Sequence, residues 1–220
     1  MMGTEILVVS GGGRYADPWH PFAETSAAIA GILGELGTVA VVDDPDAALA
    51  TLAVAAARPR LVVVNVGNPE GDSPSAEARA GLGAYLAAGG SVLAVHSSAT
   101  TFVGWPEWEA AIGGRWVRGT SFHPPFSTGV VDVLPGHPAT AGVATRFEVD
   151  DEFYRELRVA PTVTVLATHQ AEGAPVPTAW VTTTASGGRA VYDALGHDAR
   201  SYRSEGRRQL LRAEARWTLG

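Results

Sequence analysis

Four short apolar runs, rich in β-branched residues and separated by helix-patterned stretches, constrain the fold of this chain more than any other feature. Glu5–Ser10, Thr38–Val42, Leu61–Val66 and Ser91–Val95 are apolar at most positions. Such runs match strands covered on both faces. Between them, Phe22–Leu36 has helical periodicity and ends at Gly37, and Ala47–Ala57 is an Ala-rich helix. Ser75–Ala88 is a third helix, with Ser73 or Ser75 as N-cap and Gly89-Gly90 at its end. Gly71–Pro74 reads as a surface loop. Strands alternating with helices imply a parallel sheet between two helix layers. Right-handed crossovers make this an α/β, doubly wound, flavodoxin-like three-layer sandwich.

The second half changes character. Trp105–Ile112 fits an amphipathic helix with Pro106 in its first turn. Short strands follow at Gly129–Leu134, Arg146–Val149, Val163–Thr168, Ala179–Thr184 and Arg189–Leu195, punctuated by Pro and Gly. They are expected to add further parallel strands and an antiparallel edge ribbon. Glu205–Leu219 closes the chain as a helix. No repeat or linker divides it, so residues 1–220 read as one domain.

A formal net charge of −7 argues against nucleic acid and against an anionic membrane surface as partners. The arginines of 200–216 alternate with acids at helical spacing and read as a solvated helix face. No apolar stretch is long enough to span a bilayer, and no signal-peptide pattern opens the chain. There is no cysteine. That rules out thiol chemistry and suits a cytoplasmic location.

Six histidines carry most of the chemical signal. His96 ends the fourth run and His197 follows the last, and in doubly wound sheets such strand ends face the crevice. His123 is held rigidly by Pro124-Pro125. His20 lies in a polar, aromatic loop after Gly11-Gly12-Gly13, which lacks a dinucleotide or P-loop pattern and reads as a tight turn. His137 reads as structural, and His169 receives no role. Ser97 and Ser98 follow His96 without the glycines of a nucleophile elbow. A serine nucleophile served by His197 and Glu152 is therefore the minor reading. Asp150-Asp151-Glu152-Phe153-Tyr154 places three carboxylates and a phenol in one expected turn, where one carboxyl can serve as acid or base. No compact metal motif is present. A divalent metal would need residues from separate loops, with His20, His96, His123 and His197 as candidates.

An ordered series runs through these residues: Gly90–His96, Trp105-Pro106-Glu107-Trp108 to Gly113-Gly114, His123-Pro124, Gly136–Thr140, Asp151–Tyr154, Ala179-Trp180, Gly188–His197 and Trp217–Gly220. The series resembles the ThuA-like (trehalose-utilisation) family of the class I glutamine amidotransferase-like superfamily. The resemblance implies a flavodoxin-like core in which His96 takes, or lies beside, the position of the amidotransferase cysteine. Glutaminase activity is then not expected. It also implies carbohydrate metabolism alongside a sugar oxidoreductase, and a site at His96, His123, Asp151, Glu152, Tyr154 and His197. Two positions depart from the family pattern: Ser97-Ser98 stand where a glycine commonly comes first, and Val176-Pro177 where His-Pro is common.

The expected protein therefore acts on, or binds, a small sugar or sugar derivative. His96, His197, Asp151 and Glu152 are its proton-transfer groups, and His20 and His123 contact the ligand. Trp105, Tyr154 and Trp180 offer aromatic faces to a sugar ring. Isomerisation, epimerisation and hydrolysis all remain open. A sugar-binding regulatory subunit and a metal-dependent hydrolase are the alternatives. The apolar edge ribbon offers a face for a homodimer.

Overall fold

A computed structural model describes residues 5–68 and 73–220. Half of the expected Gly71–Pro74 loop and the first four residues of the chain lie outside them. The first half follows the alternating pattern: β1 (Ile6–Ser10), α1 (Phe22–Leu33), β2 (Val39–Val42), α2 (Pro45–Thr51), β3 (Leu61–Asn65), α3 (Ala76–Ala87) and β4 (Ser91–Val95). The second half holds α4 (Pro106–Ile112), β5 (Gly114–Arg115), β6 (Ser127–Val133), β7 (Arg146–Asp151), β8 (Arg158–Val159), β9 (Thr164–Ala171), β10 (Ala174–Thr183), β11 (Arg189–Asp193) and α5 (Glu205–Leu219).

Among the described residues, one nine-stranded sheet has the order β2-β1-β3-β4-β11-β10-β9-β6-β7. Its centre is buried on both faces, as the apolar runs require: β1 and β3 are buried at every position. Val9, Val62, Val64 and Tyr192 pack toward α2, α3 and α4. Ile6, Val8, Val63 and Leu93 pack toward α1 and α5. Each fully buried Val, Leu or Ile contributes about 1.5–3 kcal/mol relative to exposure, so these runs are the main source of stability.

Several expectations need correction. Only β11 joins the parallel set, beside β4, whereas β10, β9, β6 and β7 are antiparallel. The reason is local. Glu172-Gly173 joins β9 to β10 with both residues at positive φ (53° and 82°), a hairpin turn that can only reverse the chain. The helix expected over Ala47–Ala57 stops at Thr51. Asp44 caps its start by accepting from the Ala47 N–H, Val54 is already extended, and after a short 3-10 turn Arg58 is extended ahead of Pro59. Asp150 and Asp151 do not form a turn with Glu152 but end β7, opposite Thr128 and Ser127 of β6.

The arginine-rich C-terminal helix is not wholly solvated either. Arg207 and Glu214 of α5 are fully buried against Asp193 at the end of β11, with Arg207 Nη1 2.7 Å from Asp193 Oδ2. Their spacing places them on the face of α5 that meets the sheet. No helix among the described residues is long and apolar enough to cross a membrane.

Candidate functional site

The parallel strands end together at one edge, and β4 places His96 there. The residue turns out of the strand at φ +46° and opens a 3-10 turn, His96–Ala99. A non-glycine residue in that region is strained by roughly 1–3 kcal/mol and needs local bonds to hold it. The Tyr192 hydroxyl donates to the His96 carbonyl at 2.9 Å, and Trp108 Nε1 donates to the Ser98 carbonyl. Ser97 and Ser98 donate their hydroxyls to the Val66 and Val64 carbonyls. Both serines are buried and committed to carbonyls of β3 and the residue just after it, which argues against the serine-nucleophile reading.

The His96 ring is fixed from both sides. Its Nδ1 lies 2.7 Å from the Ala194 carbonyl, which can only accept, so Nδ1 carries a proton. In the neutral ring Nε2 then presents a lone pair, to which the Tyr154 hydroxyl donates at 2.8 Å. Burial raises the Tyr154 phenol well above its ordinary value, aided by Tyr192 and the nearby carboxylates, so it remains a donor.

Three further side chains converge on the same place. The loop after β1 brings His20, whose Nδ1 lies 2.8 Å from Asp17; Asp17 also accepts from the Trp19 and His20 backbone N–H groups. Beyond β11, the Gly196 and His197 N–H groups donate to the buried Asp151 carboxylate at 2.8 and 3.1 Å, presenting the His197 ring. Past the end of β7, Glu152 Oε2 lies 3.2 Å from His197 Nδ1, 3.5 Å from His123 Nε2 and 3.7 Å from His96 Nε2. Three strands separate β7 from β11 in the sheet, so the antiparallel half must curl to bring these ends together. The ring centroids of His20, His96 and His197 are 5.0–5.5 Å apart.

Burial on its own would raise the Glu152 carboxyl, but the adjacent His197 and His96 imidazoles hold it far below the usual carboxylate range. His20 is depressed, by burial first and then by His96 and His197 despite Asp17. His197 is raised: burial opposes its charge, but Glu152 and Asp151 outweigh that.

This cluster lines one wall of a cleft of about 750 Å³, whose lining includes Trp19, Val103, Trp116, His123 and Tyr154. The size suits a small-molecule ligand. Of the residues singled out from sequence, His20, His123, Glu152, Tyr154 and His197 line the cleft, and His96 lies beneath them. Three do not face it. Trp180 is 0% exposed and donates from Nε1 to the Ile112 carbonyl. Trp105 is buried against Phe102 at the start of α4. Asp151 is buried and consumed by backbone N–H groups, so it positions His197 and is not a proton-transfer group. Trp19, 71% exposed, and Trp116 supply the aromatic walls in their place. The loop holding Asp17 and Trp19 was legible as a ligand-holding segment, but nothing in the pattern singled out either residue. Trp116 carries no sequence signal. His137 is structural, accepting from the Ala139 N–H, and His169 is buried beside Thr178.

His20, His96, Glu152 and His197 each offer one ligand atom, all within 4.8 Å of one another, so the cluster can hold a metal ion. His123 is a candidate ligand that falls outside that set.

The fold is glutamine amidotransferase-like, with an imidazole at the strand-end elbow. At the level of fold, a glutamine amidotransferase of Thermotoga maritima aligns with a TM-score of 0.55 at 10% identity, covering 100% of this chain and 99% of that one. Within that class, this chain belongs to the ThuA family, described as trehalose utilisation, which matches residues 5–218. A ThuA-like protein of Parabacteroides merdae superposes with a TM-score of 0.80 at 18% identity, covering 99% of this chain and 90% of that one. One of Bacteroides uniformis gives 0.72 at 15%, covering 99% and 93%. No match to a curated protein sequence is found.

Proposed function

We propose that this protein is an enzyme of carbohydrate utilisation that moves protons on a small sugar derivative bound in the cleft. One observation carries the reading: a carboxylate, three imidazoles and a phenol that stays protonated converge at one end of a cleft with two tryptophans in its lining. Apolar aromatic walls suit the C–H face of a sugar ring, and the polar end suits its oxygens. Family membership, with its description of trehalose utilisation, supports the substrate class. Tyr154, once its hydroxyl turns away from His96 Nε2, is a neutral donor for a developing oxyanion. His123, with Nδ1 2.9 Å from the Pro124 carbonyl, turns Nε2 toward the cleft as a base. Isomerisation or epimerisation next to a carbonyl, or hydrolysis of a glycosidic bond, fits this set.

Incubation with a panel of keto-sugars and disaccharides, followed by NMR of the recovered sugar, tests the reading. Altered sugar is expected with the native chain, with at least a hundredfold loss in Glu152→Gln and Tyr154→Phe. Saturable binding with unaltered sugar across the panel would instead make the protein a sugar-binding subunit.

A further inference from the structure

We propose that His20, His96, Glu152 and His197 form a binding site for one divalent transition-metal ion of the zinc class, with its remaining coordination positions open to the cleft. The inference goes beyond the sugar reading and does not depend on it. Three features of the cluster support it.

The first is the orientation of the free nitrogens. The Asp17 carboxylate accepts from His20 Nδ1, and the Ala194 carbonyl accepts from His96 Nδ1. Each of these bonds fixes a proton on the outer nitrogen and leaves the lone pair of Nε2 facing inward. A carboxylate or carbonyl behind each imidazole is the usual support for a metal-bound histidine, because it sets both tautomer and ring orientation. His197 lacks such a ring partner, but Asp151 fixes its backbone.

The second is that two of the inward nitrogens lack a hydrogen-bond partner. His20 Nε2 and His197 Nδ1 are both buried without a hydrogen-bond partner. Glu152 Oε2 is 3.2 Å from His197 Nδ1, yet the pair does not reach hydrogen-bond geometry. Leaving buried polar atoms orphaned is destabilising. Two such atoms, aimed at one point beside a carboxylate, are explained by a shared cation.

The third is the donor set. Three imidazoles and one carboxylate favour zinc, iron, cobalt, nickel or manganese over magnesium or calcium, which prefer oxygen. Bonds of about 2.0–2.2 Å place ligand atoms closer together than the present limit of 4.8 Å, so side-chain rotation must contract the cluster. His96 Nε2 must also release the Tyr154 hydroxyl, which is then free to donate to an oxygen bound in the cleft. With the four ligand lone pairs committed, proton transfer falls to His123 and Tyr154. The ligand class implied is one that offers an oxygen to the ion, such as a sugar hydroxyl or ketone.

The test uses the full chain without an affinity tag, stripped by chelator and titrated with Zn²⁺, Co²⁺ and Mn²⁺ by calorimetry. Co²⁺ is also followed by its visible absorption. One equivalent is expected to bind, with a Co²⁺ spectrum of nitrogen and oxygen ligation. His20→Ala and Glu152→Gln should weaken binding at least a hundredfold. Asp17→Asn, which touches the ion only through His20, should weaken it 10–100-fold. His137→Asn, remote from the cluster, should change nothing. His20 lies on a loop, so its variant keeps the test meaningful if His96→Ala fails to fold. A folded native chain that binds less than a tenth of an equivalent overturns the proposal, as does equal affinity in His20→Ala, Glu152→Gln and the native chain. Binding is read without substrate. A protein that binds no metal yet alters sugar would sink this inference alone, and a protein that binds metal but is inert on every sugar would sink the other alone.

Discussion

Glu214 is buried to 0% exposure in α5 and packs against Asp193, which is equally buried. Arg207 Nη1 lies 2.7 Å from Asp193, and Asp193 also accepts from the Leu195 N–H at 2.9 Å. One guanidinium cannot neutralise two buried carboxylates, so one of them must keep its proton. Burial raises the Glu214 carboxyl well above its ordinary value, and the neighbouring Asp193 raises it further. Asp193 holds the arginine and a backbone N–H, so Glu214 is the neutral acid, donating to Asp193. Glu214→Gln should therefore be nearly silent near pH 5, within about 1 kcal/mol, since an amide can donate the same bond, and should become more stable than the native chain as pH rises. Arg207→Met leaves Asp193 charged and unpaired and should lose about 3–5 kcal/mol. The sign with pH follows. The folded chain keeps a proton that the unfolded chain releases above its ordinary value of 4.5. Stability therefore declines as pH rises from about 5 toward neutrality, by up to about 1.4 kcal/mol per pH unit. Glu214→Gln should remove that component. Urea unfolding of the three proteins at pH 5, 6 and 7 measures both effects. Equal destabilisation by the two variants, or an unchanged slope in Glu214→Gln, would show that Glu214 is ionised.

Asp151→Asn should destabilise the chain by about 2–4 kcal/mol in thermal unfolding. Its carboxylate accepts from the Glu152, Gly196 and His197 N–H groups, and an amide turns a donor toward one of them. Ser97→Ala should cost about 1 kcal/mol, the hydrogen bond to the Val66 carbonyl, while keeping any turnover found; complete loss of turnover would restore the serine reading. His169 is depressed to about 4, by burial and then by Arg155. It is neutral when folded and charged when unfolded between about pH 4 and 6.5. It therefore supports stability above 6.5, and that support should fall by up to about 3 kcal/mol on acidification to 4. Denaturation of His169→Gln across that range should show a shallower acid slope. Trp116→Ala should raise KM for the sugar by about tenfold with little change in kcat, if the ring only binds.

The parallel half of the fold was legible because its signal is local. A run such as Leu61–Asn65, apolar at all but its last position and bounded by a turn, has few alternatives to a doubly covered strand. The antiparallel half was less legible because strand direction is decided by turns. The Glu172-Gly173 hairpin is a two-residue signal, and it outweighed the apolar character of β9 and β10. Burial on α5 was misread for a related reason. Arg207 and Glu214 look solvated one at a time, and only contact with Asp193 of a distant strand makes them a buried group.

The site was legible to the extent that sheet topology alone determines it. His96 and His197 follow strands β4 and β11, which pair in parallel, so their meeting at one edge requires only that the sheet form. Glu152 is harder, because it arrives from the far antiparallel edge, and only the curl of the sheet brings β7 to β11. The tryptophans were assigned wrongly because size and aromaticity do not distinguish a core residue from a cleft wall. Trp180 lies mid-strand in β10, where its indole fills the space beneath α4. Trp116 follows the two-residue strand β5 and is released into the cleft. A polar group is different: its hydrogen-bonding requirement must be met wherever it lies. In this chain the histidines with fixed outer nitrogens therefore mark the site more sharply than the aromatic residues do.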